Sequence, residues 1–351
     1  MQEFLLYGAS GYTGSLIART APSYGLRPVL AGRSREKLVA LAQTLGLDYV
    51  AFDLSDTKNL EETLRRYPVV LHAAGPFSHT AAPMMEACLR THTHYLDITG
   101  EIRVFEAAKR LDTKAKEAGI MIMPGVGFDV VPTDSLALYL KHRLPQADTL
   151  KLAFASLHGG WSQGTAVTMA EGAGDGSAVR KHGKIVHVPL GHKGMWVDFG
   201  LKRLFVMTIP WGDISTAYST TGIPNIETYT GAPPATFRML KYQALFNWLL
   251  RMPFMREKAI RKIRKGPAGP TDEQRVKAKS LVWGEVTTDS GQSARCRLHG
   301  PEGYTLTAHA SLLITRKVLE KNIHTGYQTP AGCYGPDLVM EIPGVFREDC
   351  D

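Results

Sequence analysis

Between Phe4 and Gly125 the chain alternates two hydrophobic rhythms, and this alternation limits its fold more than any other feature. Six short apolar runs, FLLYGA, RPVLAGR, DYVAFD, VVLHAAG, HYLDIT and IMIMPG, are separated by five segments with helical spacing. In the second of these segments Ser34 stands at a cap position, Leu38, Leu41 and Leu45 recur on one helical face, and Gly46 follows. Strands that alternate with helices pair in parallel, because the connection is long enough only for a crossover. The order therefore predicts an α/β fold with a doubly wound, mostly parallel sheet and a ligand crevice at the carboxyl ends of the strands.

Residues 6–21, LYGASGYTGSLIARTA, occupy the first strand-to-helix turn of that array. Gly8, Gly11 and Gly14 form a GxxGxxG variant of the dinucleotide fingerprint: the first glycine permits a tight turn, the second lets backbone approach a pyrophosphate, and the third brings the helix close to the strand. Ser10, Tyr12 and Thr13 lie where backbone amides at the helix start face the anion. Where an NAD site would carry an acid for the ribose 2′-hydroxyl, the next strand ends Ala31-Gly32-Arg33-Ser34. A guanidinium at Arg33, a hydroxyl at Ser34 and an ammonium one turn later at Lys37 suit a 2′-phosphate, so NADP(H) is the expected cofactor. The competing reading leaves Arg33 as a solvated helix-start residue.

Other strand ends supply further candidates. Asp53 would accept from the adenine amino group or cap the next turn. Ala74, Gly75 and Pro76 end the fourth strand, where glycine lets backbone pass a ribose and proline stiffens the loop. Tyr95 and Asp97 share one face of the fifth strand and are candidates to orient substrate or nicotinamide, with Glu101 close by. Alternatively Asp97 is a buried cap acceptor and Glu101 a first-turn helix charge.

The first domain is expected over 1–128 and a substrate domain over 129–308, followed by a C-terminal helix and tail, 309–351. The boundary rests on the Gly, Pro and Asp density of PGVGFDVVP and the helical pattern TDSLALYLKHRL after it. A chain of 351 residues with 44% hydrophobic content can fill two cores. Asp134 or Thr133 would cap the new helix. Asp129 is expected to line the interdomain cleft and to position substrate or water, or else to act as a hinge residue. In residues 155–260, Trp161, Met169, Trp196, Phe199, Trp211, Tyr218 and Tyr229 would line an apolar cavity or simply form core, and Arg180, Lys181 and His182 would hold a carboxylate or carrier phosphate or form a solvated turn.

The four cysteines are far apart, which suggests neither a metal centre nor a disulfide framework. A secretory pattern and a run of about 18 apolar residues are both lacking, and a cytoplasmic chain is expected. The net charge of +8 favours anionic ligands without naming one. Residues 236–265 join an apolar stretch around Leu245, Phe246, Trp248, Leu249 and Leu250 to Arg256, Lys258, Arg261, Lys262, Arg264 and Lys265. This stretch would pack on the substrate domain, make a homodimer contact, lie on a membrane surface or dock an acyl carrier; nucleic acid is not an expected partner.

GASGYTG, AGRS, HAAGPF, YLDITGE and PGVGFDVVPTDSLALYL together resemble the saccharopine dehydrogenase-like oxidoreductases, particularly the branch with the trans-acting enoyl reductases of lipid polyketide synthesis. SQGTAVTMAEGA, GPTDEQRVKAKSLVWGEV, GYTLTAHASLLITRKVL and TPAGCYGP extend the likeness over most of the chain. The resemblance implies a Rossmann domain followed by an α/β substrate domain on a mixed sheet, with the C-terminal helix and tail, 309–351, returning to the first domain. It also implies NADPH-dependent hydride transfer to a small or carrier-linked apolar substrate with a conjugated carbonyl. The alternatives are imine and amino-acid chemistry of the saccharopine reductase type and a non-enzymatic NADP-sensing regulator.

Overall fold

The computed structural model describes residues 1–243, 247–250 and 252–350. They form two compact units, Met1–Val131 with Tyr304–Tyr334, and Pro132–Gly303 with the C-terminal residues from Gly335.

The first unit realises the six predicted strands: β1 (Gln2–Tyr7), β2 (Leu26–Gly32), β3 (Tyr49–Ala51), β4 (Val69–His72), β5 (His94–Asp97) and β6 (Met121–Met123). Between them run α1 (Tyr12–Thr20), α2 (Arg35–Leu45), α3 (Thr57–Leu64), α4 (Phe77–Thr91), α5 (Ile102–Lys109) and α6 (Asp112–Glu117). Every pairing is parallel, in the order β3-β2-β1-β4-β5-β6. The chain moves outward from β1 to β3 and then returns to lay β4 against β1, so the crevice for a ligand opens between the carboxyl ends of β1 and β4. Helices on both faces explain why β4 and β6 are buried at every position rather than alternating. Leu5, Tyr7 and Val70 from the strands meet Leu60, Leu64, Met84 and Met85 from the helices in one buried core.

The fifth helical segment departs from expectation by dividing into α5 and α6 at Arg110–Leu111. The break turns Asp112 so that its Oδ1 accepts from the backbone N–H of Tyr327 at 2.9 Å while Oδ2 accepts from Lys116 at 2.7 Å. Tyr327 belongs to a seventh strand of this sheet, the two-residue Gly326–Tyr327, which pairs in parallel with β6. So short an element leaves no periodicity to read.

The second unit is built on a mixed sheet. Its elements begin with α7 (Val131–Arg143), which opens on the last residue of the first unit, and continue with β7 (Thr149–Leu157), α8 (Gln163–Glu171), β8 (Ser177–Lys181), β9 (Lys184–Val188), β10 (Gly194–Asp198), β11 (Arg203–Thr208), α9 (Asp213–Thr221) and β12 (Asn225–Gly231). Then follow α10 (Pro234–Leu240), α11 (Asn247–Leu250), α12 (Pro253–Ile263), α13 (Asp272–Lys277), β13 (Lys279–Thr287) and β14 (Ser293–Pro301). A last strand, Phe346–Asp349, pairs with β14. β12 and β7 pair in parallel, and β7, β13 and β14 are antiparallel neighbours. α7 lies against one face of this sheet: a Cβ on Gly284 would stand 2.6 Å from Leu140 Cδ1. On the other face Glu227, Lys151, Glu285 and Arg295 stand opposite one another across four strands, with Glu285 accepting from Lys151 at 2.9 Å and from Arg295 at 2.7 Å. Because α7 starts at Val131, Asp134 lies inside its first turn rather than at the cap, and there it accepts from the Thr220 hydroxyl at 2.6 Å.

Candidate functional site

The glycine turn after β1 has the shape a dinucleotide needs. Gly8 takes φ +87°, and a Cβ there would stand 2.6 Å from the backbone N of Ala74, so this turn is pressed against the loop leaving β4. A Cβ on Gly14 would run into the carbonyl oxygen of Gly8 and come within 2.9 Å of Ala9 Cα, which is the close helix-to-strand packing expected of the third glycine. Gly11 differs. It is exposed at φ −75°, and a Cβ there would meet only the Gly8 carbonyl at 3.2 Å. Gly75 is similar, since its Cβ would meet only the Phe77 ring, at 3.5 Å. Gly14→Ala is expected to lower the melting temperature sharply, whereas Gly11→Ala should fold with near wild-type stability and lose NADPH affinity. Differential scanning fluorimetry with and without NADPH separates the two effects.

Two helix N-termini face this crevice, and only one is already neutralised. At α4 both carboxylate oxygens of Glu101 accept from backbone N–H groups, Phe77 at 2.8 Å and Ser78 at 2.9 Å. At α1 the cap position is Gly11, no side chain caps the helix, and the first turn holds no acid. The positive end of the α1 dipole is thus left for an external anion, beside Ser10, Tyr12 and Thr13. The Tyr12 ring packs edge-on against Tyr304 at 5.0 Å.

At the end of β2 the Arg33 side chain is 79% exposed, and its Nε is 3.9 Å from Asp53 Oδ2. Ser34 is the N-cap residue of α2, but its hydroxyl makes no capping bond, and Lys37 is exposed one turn on. Asp53 closes its own turn: Oδ1 accepts from Ser55 N at 2.9 Å and from Ser55 Oγ at 2.8 Å. These bonds, and then Arg33, hold its carboxyl below the usual range. The cap of α3 is instead Asp56. An exposed guanidinium, an uncommitted hydroxyl and an ammonium at one strand end fit a 2′-phosphate.

Around the carboxyl ends of β4, β5 and β6 the acidic groups divide by environment. Tyr95 and Asp97 are wholly buried, and the Tyr95 hydroxyl donates to Asp97 Oδ2 at 2.6 Å. Asp97 Oδ1 accepts from the N–H groups of Thr99 and Gly125, each at 2.9 Å, so this carboxylate ties the β5 loop to the β6 loop. Burial outweighs these bonds and pushes its carboxyl up to about 6. Ala74 offers its carbonyl to the Thr80 hydroxyl at 2.7 Å, and Pro76 leads into α4. Thr80 in turn lies 3.0 Å from Nε2 of the buried His72, whose ring burial holds down to about 3.

Asp129 has a different setting. It is partly buried in the loop between β6 and α7, and its carboxylate lies directly over Gly100, where any Cβ would collide with Oδ2. Burial, and then the negative charge of Glu101, push its carboxyl up to about 7. Among the described residues no donor reaches it. The result is a carboxyl group that is partly protonated at neutral pH and close to the loops that leave β4 and β5.

Sequence reasoning gave Glu101 no specific task and passed over Gly100. The signal for both was the tetrapeptide Thr99-Gly100-Glu101-Ile102 at a strand end, which reads as an ordinary helix start until Asp129 and α4 are placed around it. In the second unit, the aromatic residues of 155–260 divide. Phe199 and Tyr229 are core, and Trp211 stacks on Phe154 at 4.4 Å, whereas Trp161, Met169 and Trp196 each expose more than half their surface. Arg180 is buried beneath the Tyr218 ring, donating to the carbonyls of Ile214 at 2.7 Å and Gly183 at 2.6 Å.

Residues 4–123 match the family of the saccharopine dehydrogenase NADP binding domain. Over 163 residues the chain is 33% identical to the trans-acting enoyl reductase of Mycobacterium ulcerans, covering 44% of this chain and 39% of that protein. Over 204 residues it is 28% identical to the saccharopine dehydrogenase-like oxidoreductase of Rattus norvegicus, covering 51% of this chain and 48% of that protein. The chain spans about half the length of the relatives it matches, or less. Among solved structures, apo saccharopine dehydrogenase (L-Glu forming) from Saccharomyces cerevisiae aligns over 100% of both chains with a TM-score of 0.66 at 14% identity, a likeness of fold.

Proposed function

We propose that the chain, whose residues 4–123 match the family of the saccharopine dehydrogenase NADP binding domain, is an NADPH-dependent oxidoreductase that reduces an apolar substrate carrying a conjugated carbonyl, in the manner of an enoyl reductase. Arg33, Ser34 and Lys37 hold the 2′-phosphate, the uncapped start of α1 holds the pyrophosphate, and Ala74, Gly75 and Pro76 adjoin the ribose on the nicotinamide side. The bound cofactor supplies a hydride. Reduction of a conjugated double bond consumes one proton as well, and Asp129 provides it in this reading, which its carboxyl over Gly100, raised to about 7 by burial, supports. Tyr95 and Asp97 act at one remove, as a buried pair that fixes the loops carrying Gly100 and Gly125.

The observation that carries the apolar reading is the engagement of Arg180. Amino-acid and keto-acid substrates need a cation to hold an α-carboxylate. Of the three residues that the sequence offers for it in the second unit, Arg180 spends its guanidinium on two backbone carbonyls and a tyrosine ring, and Lys181 and His182 stand exposed at a turn. Trp161, Met169 and Trp196, by contrast, present apolar surface. The resemblance to an enzyme named as an enoyl reductase points the same way. A panel of NADPH-oxidation assays tests the reading: turnover is expected with long-chain enones or enoyl thioesters, and turnover only with amino-acid/keto-acid pairs would overturn it.

A further inference from the structure

The positive charge of this protein is local. Residues 236–265 hold nine Lys and Arg against one acid, Glu257, whereas the whole chain has 41 Lys and Arg against 33 Asp and Glu, so the remainder balances at 32 of each sign. All of the formal excess of +8 therefore sits in one segment. Of the apolar residues that drew attention to this stretch, Leu245 and Phe246 lie outside the described residues, and the side chains of Leu249 and Leu250 are likewise not described.

The segment is docked by polar groups as well as by apolar ones such as Phe237, whose ring lies 5.2 Å from that of Phe205. Arg256 of α12 donates to the Ala173 carbonyl at 2.7 Å and to Asp175 at 2.8 Å. Gln163, at the start of α8, donates through its side chain to the Gly266 carbonyl at 2.6 Å. Gln243, beyond α10, exchanges hydrogen bonds with the backbone of Leu190. Met255, Ile260 and Ile263 form the half-buried side of α12, and neither α10 nor α12 has a fully buried residue. What the segment exposes is the reverse of an ordinary surface helix: Met239, Tyr242, Trp248 and Phe254 are each 58–64% exposed. On α12, Phe254, Lys258 and Arg261 follow at helical spacing along one exposed stripe, with Lys262 beside it and Lys265 exposed in the turn that follows.

We propose that this surface binds an anionic lipid membrane, lying on it without crossing it. Exposed aromatic and thioether side chains enter the headgroup boundary while the surrounding cations meet lipid phosphates, the composition that interfacial helices use. Among the described residues no helix is long and apolar enough to cross a membrane. Charge complementarity selects the lipid: nine cations against one acid in thirty residues, only some of them paired, favour an extended negative surface.

The test is co-sedimentation of the full chain with phosphatidylcholine vesicles and with vesicles that also contain phosphatidylglycerol, at low and high salt. Binding is expected to the anionic vesicles only, weakening as salt rises. The K258E/K262E/K265E variant leaves the Arg256–Asp175 and Arg261–Glu257 pairs in place, and should lose partitioning by on the order of 100-fold. Its NADPH affinity and melting temperature should match the wild type, which separates this result from failure to fold and from any failure of the proposed reaction. Failure to sediment with anionic vesicles, equal binding to both vesicle types, unchanged binding by the variant, or capture by an acidic acyl carrier in place of vesicles would overturn the proposal.

Discussion

Replacing Asp129 with Asn is expected to lower turnover by roughly 10²- to 10⁴-fold, the usual contribution of a positioned proton donor, while NADPH affinity stays nearly unchanged. The amide keeps the shape that packs over Gly100 and loses only the acid. The same substitution should raise stability at alkaline pH, a test of the buried setting of the carboxyl that is separate from the turnover test of its role. Burial has raised the folded carboxyl from an ordinary 3.8 to about 7, so the folded protein binds this proton more tightly than the unfolded chain. The contribution of Asp129 to stability is then fully present below the unfolded value near 4 and is lost as pH rises through 7. Partial solvation reduces the full linkage to on the order of 1–2 kcal/mol. Thermal melts should show the Asn variant above the wild type by a few degrees at pH 8 and level with it near pH 4. Equal melts at both pH values together with full turnover would remove Asp129 from the chemistry.

Arg33→Asp should invert cofactor preference. The wild-type side chain is exposed, loosely paired with Asp53 at 3.9 Å, and has little structural work to lose. An aspartate there removes a charge-assisted bond to the 2′-phosphate and adds repulsion, so NADPH affinity should fall by roughly 10²- to 10³-fold. NADH has only a 2′-hydroxyl and should bind as before or slightly better. Fluorescence titration of both cofactors reads this directly, and unchanged discrimination would leave Arg33 a solvated residue at the start of α2.

These two residues also show what could be read from the chain and what could not. The place of Arg33 at the end of β2 was legible because the fingerprint and the strand after it are local in sequence: the β1 turn and the end of β2 are joined by one crossover. The parallel order of the first sheet was legible for the same reason, since six apolar runs and five helices leave few arrangements. The seventh strand was not, because two residues carry no period and the pairing depends on Asp112, some 215 positions away. Tyr95 and Asp97 illustrate a second limit. Alternation put them on one face, but whether that face meets solvent or core depends on which loops close over it, and here the β6 loop delivers Gly125 N–H to Asp97. Charge is the third limit. The basic stretch at 236–265 was legible, but its docking through Arg256 and Gln243 with Met239, Tyr242, Trp248 and Phe254 exposed was not.

The central claim is hydride delivery from NADPH to a conjugated carbon, and isotope transfer tests it most directly. Purified chain would be incubated with NADPH deuterated at the transferable nicotinamide position and a long-chain enone, and the product examined by mass spectrometry and NMR. The account predicts one deuterium on the β-carbon and a solvent-derived proton on the α-carbon, with both lost in the Asp129→Asn variant. Deuterium at the amine-bearing carbon of an amino-acid product, with none on any enone or enoyl thioester, would contradict it.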